Sequence, residues 1–305
     1  MELIYEGVDI TKEVRIVSAV CRDASGGKSD SLELVLGDAE KWYSWKPQQD
    51  DRILLRQEGY STGTMYLSAV QPEEGEYRIL ATAQPMAARR RANKSYEDMT
   101  LETIMGLCAA ECGMRWRLYG IDGGIRYHYL LRTGESCAAL LNRLAGLEGA
   151  VLKCWDGQLT MIGIAKQQTA AASETIRITA RQPGAVHTNR ERERLRQLTM
   201  VTPWVQVSAW DTGGSGELSE TETQASPPDA ATAGRWARGL LLCKNRQAEK
   251  LMLHSRFRAE WTAMLRADVT GSTTADGKWL MDEVEHDFVA GTSRVTLVRC
   301  IETIG

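Results

Sequence analysis

Phenylalanine is almost missing from this 305-residue chain: it has two, against nine tryptophans. Wide aromatic side chains of that kind belong in packed cores or interfaces. Long apolar runs are also missing, and no stretch reaches the ~20 residues of a membrane-spanning helix. The opening residues Met1-Glu2-Leu3-Ile4-Tyr5-Glu6 lack the charged and hydrophobic regions of a signal peptide. The seven cysteines are odd in number and follow no framework spacing, so reduced thiols are expected rather than a disulfide scaffold. A chain made and folded in a cytoplasm follows. No charge predominates either, with 37 Lys and Arg against 40 Asp and Glu. A net charge of -3 gives no general pull toward nucleic acid or anionic membrane.

Motifs for chemistry are absent as well. Thr212-Gly213-Gly214-Ser215-Gly216 lacks the G-x-x-x-x-G-K-[ST] pattern that cradles phosphate. Cys108 and Cys112 have a spacing that suits a metal, but they share an apolar stripe with Leu101, Ile104 and Met105. No second cysteine pair or histidine cluster lies nearby, so they are read as core. Glu283 and Glu285 share one strand face while His286 points to the other, and no nucleophile motif accompanies them. They are read as a solvated face with one hydrogen-bonded histidine. Arg89-Arg90-Arg91 with Lys94 is the strongest basic cluster, yet Glu97-Asp98 follow at once. A solvated linker or an inter-subunit salt bridge is preferred to phosphate contact there. Arg190 to Arg196 is interrupted by Glu191 and Glu193 and reads as self-compensated surface. The expectation is a protein with no catalytic, cofactor or metal site, no specific nucleic-acid binding and no membrane insertion.

What the chain does carry is strand pattern. Its length allows two or three domains with real cores. With 25% charged and 43% hydrophobic residues, it has the composition of a folded soluble protein. From Leu3 to about Ala83 it reads mostly as strands. Leu32, Leu34 and Leu36 alternate with Glu33, Val35 and Gly37, and Pro72-Glu73-Glu74-Gly75 joins two further strands. Thr100 caps a predicted helix bearing Leu101, Ile104, Met105, Cys108 and Cys112, with Gly113 as its stop. A second helix starts near Ser136 and carries Cys137, Leu140, Leu141, Leu144 and Ala145. Asp156-Gly157 then turns a hairpin between Val151 and Ile162. After about Glu174 the pattern is β-like again, with Ile176 and Ile178 alternating and a strand from Trp204 to Trp210. A polar loop or mobile insertion is predicted from Thr212 to Pro228, and a long helix from about Lys244 to Arg266. Strands near Trp279–His286 and Ser293–Cys300 close the chain. The fold class is therefore β-rich α+β, divided as 1–88, 89–173 and 174–305.

The ordered series of these motifs resembles the phage late control protein D family, baseplate hub proteins of contractile tails. That family is related to the hub portion of type VI secretion spikes. The resemblance rests on Tyr5-Glu6-Gly7-Val8-Asp9-Ile10-Thr11, on the D-x-L-x-L-x-L-x-D run from Asp30 to Asp38, and on the loop Trp42, Trp45 and Pro47. Farther on it rests on Lys94-Ser95-Tyr96, Thr100 to Ile104, Gly134-Glu135-Ser136 with Leu140-Leu141 and Arg143-Leu144, Gln247-Ala248-Glu249, and Val284-Glu285-His286 with Thr296-Leu297. Asp50-Asp51 stands where the family usually has Gly-Asp, and the region from Trp261 to Asp276 is shorter than the family norm.

The resemblance implies two tube-like β-barrel domains flanking a small α/β module. It also implies a homotrimer that presents six similar domains in a ring, because a threefold spike meets a sixfold tube only through paired pseudo-equivalent surfaces. The implied partners are the tail tube protein, a central spike protein and other baseplate proteins, in a particle assembled in the bacterial cytoplasm. The end of the chain at Gly305 favours a separate spike over a fused one. Two rivals stand beside this reading: a tail-associated cell-wall hydrolase and a hub adaptor of a secretion system. For Trp42 and Trp45 two roles stand equally, closing the first barrel or forming a subunit contact.

Overall fold

The computed structural model describes residues 1–37, 46–73, 75–179 and 184–305. Trp42 and Trp45 lie outside the described residues.

The alternating runs of the first third form strands Glu2–Tyr5, Val8–Asp9, Arg15–Ala24, Ser31–Gly37, Arg52–Gln57, Tyr60–Ser61, Met65–Glu73 and Glu76–Thr82. Leu32, Leu34 and Leu36 point inward with Leu3, Ile53, Leu55, Met65, Leu67 and Ile79 to make one core. Glu73 pairs with Glu76 across the Pro72–Gly75 connection, and Gly75 supplies the positive φ of +77° that the turn requires. A second β unit comes from Glu174–Arg177, Val186–Asn189, Glu249–Arg256, Arg266–Thr270, Gly277–Asp287 and Thr292–Arg299. Its core gathers Ile176, Ile178, Leu251, Leu253, Trp261, Trp279, Val295 and Leu297.

The two units are one sheet. Gly277–Asp287 pairs antiparallel with Arg15–Ala24, from Glu283 opposite Ala24 to Asp287 opposite Val20. The result is a 14-stranded sheet whose hydrogen-bonded path runs from Val186–Asn189 at one end to Val8–Asp9 at the other. Among the described residues that path stays open.

Between the two units lies the helical module. Helix α1 (Leu101–Glu111) begins at Thr100, whose hydroxyl accepts from the Thr103 amide at 3.2 Å. Helix α2 (Cys137–Leu147) begins at Ser136, which accepts from the Ala139 amide at 3.1 Å. Both apolar stripes are buried as their periodicity demands. Ala150–Trp155 and Gln158–Gly163 form the hairpin, with Asp156 and Gly157 at φ +46° and +69°, and Arg115–Tyr119 adds in parallel. Helix α3 is the short Ile164–Gln168. Arg89–Lys94 is no free linker: residues Arg91–Thr100 pair with Arg126–Ser136 as a two-stranded ribbon, and the Arg90 carbonyl accepts from Arg132.

The later helix differs from its predicted place. Helix α4 spans Ala230–Asn245, started by Asp229 accepting from the Thr232 amide at 2.7 Å, whereas Glu249–Arg256 is a strand paired with Thr292–Arg299. Ala248, Leu251, Met252, Ser255 and Ala259 fit a helical period. Leu251 and Leu253 also fit a period of two, and pairing with the terminal hairpin selects the strand. The polar stretch after Thr212 likewise contains a strand, Leu218–Glu222, parallel to Leu195–Val201.

These two strands, with Gln206–Trp210, back onto α4 and share a core with α1 and α2. The close approach is made by glycine. A Cβ on Gly239 of α4 would lie 2.2 Å from the Leu147 carbonyl oxygen and 2.5 Å from the Gly149 nitrogen. Gly239→Ala is expected to force α4 off the end of α2 and cost about 1–3 kcal/mol. An unchanged thermal midpoint would refute this close packing.

Candidate functional site

The molecule has a cleft lined by Cys21, Asp23, Asp30, Tyr60, Lys153 and Thr262. Its most elaborated polar region is the joint where the two β units and the helical module meet. Strand Arg15–Ala24 ends there in the loop Ser25-Gly26-Gly27-Lys28-Ser29, and the chain returns at Asp30. One Asp30 carboxylate oxygen accepts from the Ala24 amide at 3.0 Å, tying the loop shut, and its carbonyl accepts from Ala83 at 3.0 Å. From the hairpin of the module, Lys153 reaches in. Its ammonium donates to Asp30 at 3.1 Å and to Asp23. Asp23 in turn accepts from the Ala263 amide at 3.0 Å and from the Thr262 hydroxyl, both on the second β unit. One buried cation therefore links all three parts of the chain.

The electrostatics follow from that burial. Removal from water raises the Asp30 carboxyl; Lys153 pulls it down and Asp23 pushes it up again, leaving it at about 6. Burial alone would lower the Lys153 ammonium, but the two carboxylates overcome it and hold it above its ordinary value. A second ion pair closes the other side of the joint. Arg246, where α4 ends, donates to Asp282 and to the Ser25 hydroxyl, while the Ser25 amide donates to the Asp282 carbonyl at 2.8 Å. Burial would raise the Asp282 carboxyl, yet the Arg246 charge with Ser25 and Gln247 holds it below its usual range.

His286 sits at the heart of the joint, fully buried. Its Nδ1 meets the Ser293 hydroxyl at 2.9 Å and its Nε2 meets the Trp261 carbonyl at 3.1 Å. Burial lowers its pKa, so the ring stays neutral near pH 7. Around it stack Tyr60 at 4.3 Å, Phe257 at 5.2 Å and Phe288 at 6.3 Å between ring centroids. The only two phenylalanines of the chain are thus both spent on this contact. Glu283 and Glu285 face away from the buried Val284 and His286, and Glu285 pairs with Arg22 across the joint at 2.8 Å.

Cys108 and Cys112 are buried in the α1 core. Among the described residues no group of three or more His, Cys, Asp or Glu is placed to hold a metal ion. No described helix is long and apolar enough to cross a membrane. Gly213 and Gly216 pack against Thr303 and the Arg194 backbone, beside a buried Asp211 that pairs with Arg194. Lys153, Asp23, Arg246 and Asp282 escape a reading of the sequence. A single lysine inside the run Val151 to Trp155 is the one visible signal.

Tryptophan is divided between inside and outside. Trp236, Trp261 and Trp279 are buried, whereas Trp155, Trp204 and Trp210 are 50%, 64% and 46% exposed. Trp204 stands in the turn that leads into Gln206–Trp210, and Trp210 and Leu218 lie on the small sheet of Leu195–Val201, Gln206–Trp210 and Leu218–Glu222. Its outward face is otherwise built of uncharged Gln197, Thr199 and Ser208, hydrogen bonded to one another at 2.8–3.0 Å.

This arrangement, two β units fused through one strand pair around a helical module, has a fold similar to that of solved phage tail proteins. No family model matches the chain, and no curated protein matches it. Among solved structures it is similar to the 43 kDa tail protein of prophage MuSo2 from Shewanella oneidensis. There the TM-score is 0.73 at 14% identity, over 98% of this chain and 97% of the other. It is similar to a tail protein of Neisseria meningitidis MC58, with a TM-score of 0.75 at 12% identity over 98% and 95%. An Escherichia coli component of the type VI secretion system, itself described as similar to T4 tail proteins gp27 and gp5, matches with a TM-score of 0.60. That match has 12% identity and spans 99% of this chain and 78% of the other.

Proposed function

We propose that this chain is a non-enzymatic baseplate hub protein of a contractile phage tail or tail-like particle. In this reading each β unit closes into a tube-like barrel, and three chains form a ring of six such units. The ring joins the sixfold tail tube to the threefold central spike. The segments 1–88, 89–173 and 174–305 supply the first tube domain, the helical module and the second tube domain. The partners are further copies of the chain, the tube protein, the spike and other baseplate proteins. It binds no nucleic acid specifically and inserts into no membrane. It assembles in the bacterial cytoplasm and ends in the particle.

The observation that carries this reading is the fusion of two β units through Arg15–Ala24 and Gly277–Asp287, in a chain that matches tail proteins along nearly their whole length. Two fused units per chain are what a trimer needs to meet sixfold symmetry. A locked joint suits a part that must stay rigid while force passes through it. Trp42 and Trp45, with the exposed Trp204 and Trp210, are the proposed subunit contacts, since tryptophan concentrates binding energy at interfaces.

Light scattering on the purified protein, alone and with its spike partner, is expected to give three times the 33.9 kDa chain mass in at least one condition. A clean monomer in every condition, partner included, would sink the proposal.

A further inference from the structure

Beside the joint lies a cavity of about 460 Å³ whose walls come from three parts of the chain. The loop after Arg15–Ala24 gives Gly26, Gly27 and Lys28, the end of α4 gives Arg246, and the second β unit gives Lys250 and Glu283. Its walls carry donors without acceptors. Nη2 of Arg246 is taken by Asp282 and Ser25, but Nη1 has no partner, although the side chain is only 6% exposed. A buried charged donor left so destabilises, and an acceptor brought to it removes that penalty. Lys28 and Lys250 form no ion pair among the described residues, and the amides of Gly26, Gly27 and Lys28 find no acceptor there either. Glycine lets the loop come in this close. Gly26 and Gly27 have φ of +120° and +74°, and a Cβ on Gly26 would lie 2.9 Å from the Cβ of Val151. Successive backbone N–H groups in such a turn form a concavity that favours anions. Two carboxylates oppose the three cations: Asp282, already held by Arg246, and Glu283.

We propose that this cavity binds a small oxyanion of the phosphate class, held by Arg246, Lys28, Lys250 and the amides of the Gly26–Lys28 loop. A tetrahedral dianion suits this set better than a carboxylate, because its oxygens can take donors that arrive from three parts of the chain. The volume exceeds that of a bare ion, so a phosphate ester with a small body fits as well. Bound there, the anion ties the loop, the end of α4 and the second β unit together beside the Arg246–Asp282 pair. This holds whether or not the chain assembles into a ring.

The test compares the full chain in sodium phosphate and in sodium chloride of equal ionic strength. At ten times the Kd for phosphate, the thermal midpoint is expected to rise by about 2–4 °C. Phosphate also stabilises folded chains in general, so the readout is the difference between the parent and the double variant Lys28→Ala, Lys250→Ala. That variant should melt like the parent in chloride and lose most of the rise in phosphate. Glu283→Gln removes an opposing charge, so calorimetric titration should show it binding inorganic phosphate several-fold tighter, a readout that needs neither lysine variant to fold. In the parent, tighter binding of glycerol 3-phosphate than of inorganic phosphate assigns the ester, and weaker binding assigns the free ion. Equal rises in the parent and the double variant, unchanged affinity in Glu283→Gln, or tighter binding of a thymidine oligonucleotide than of either phosphate would each overturn the assignment.

Discussion

Lys153→Met is expected to destabilise the protein by about 3–5 kcal/mol at pH 7 and by clearly less at pH 5. The methionine fills the volume of the lysine stem, so packing changes little and charge is what is tested. Without the ammonium, Asp23 and Asp30 face one another buried and uncompensated. The direction with pH follows from Asp30. Its folded pKa of about 6 lies above the 3.8 of an unconstrained carboxyl, so its ionised form is the costly one. Its contribution is most favourable below the unfolded value and fades as pH rises through the folded one. Removing Lys153 takes away the influence that pulls this pKa down, so it rises further. At pH 5 Asp30 is then protonated and able to donate to Asp23, and much of the repulsion disappears. Lys153 itself stays charged across this window. Calorimetry at both pH values should show a fall in thermal midpoint on the order of 10 °C at pH 7. Equal falls at pH 5 and pH 7 would remove the carboxylate pair from the explanation.

That prediction depends on partners far apart in sequence, and this is where sequence reading reaches its limit. Helices α1 and α2 were legible, α1 at both ends and α2 to within a residue or two, because Thr100, Ser136 and Gly113 carry local capping chemistry and the apolar stripe repeats every three or four positions. The Asp156-Gly157 hairpin was legible for the same reason: its turn is specified by two adjacent residues. Helix α4 was misplaced, since Ala248 to Ala259 satisfies two periods and only the pairing with Thr292–Arg299 decides between them. The joint was half legible. Asp30 stood out in its motif, and His286 read as a hydrogen-bonded histidine. Nothing local pairs Lys153 with Asp23, 130 positions away, or Arg246 with Ser25, 221 positions away. Long-range ion pairs leave no periodic trace.

Trp279→Ala is expected to cost about 3–5 kcal/mol, the range for emptying a large aromatic site in a core that relaxes only in part. Trp279 is fully buried in Gly277–Asp287, the strand that carries the second β unit onto the first. Its indole nitrogen donates to the Ala275 carbonyl at 2.8 Å, and the Arg299 guanidinium lies 4.3 Å above its ring. Arg299 keeps Glu249 as a partner at 2.7 Å, so the charge stays paired and the loss is mainly of packing. Trp279→Phe should fall between, retaining a ring but leaving the Ala275 carbonyl without its donor. Trp210→Ala provides the contrast. That side chain is 46% exposed, so stability should move by no more than about 0.5 kcal/mol. If the uncharged face around it is a subunit contact, association should weaken while the monomer melts as before. Thermal midpoints and light scattering on the same samples separate the two effects. Matching losses of stability in Trp279→Ala and Trp210→Ala would show that burial does not distinguish the two sites, and the division between core and contact tryptophans would fall.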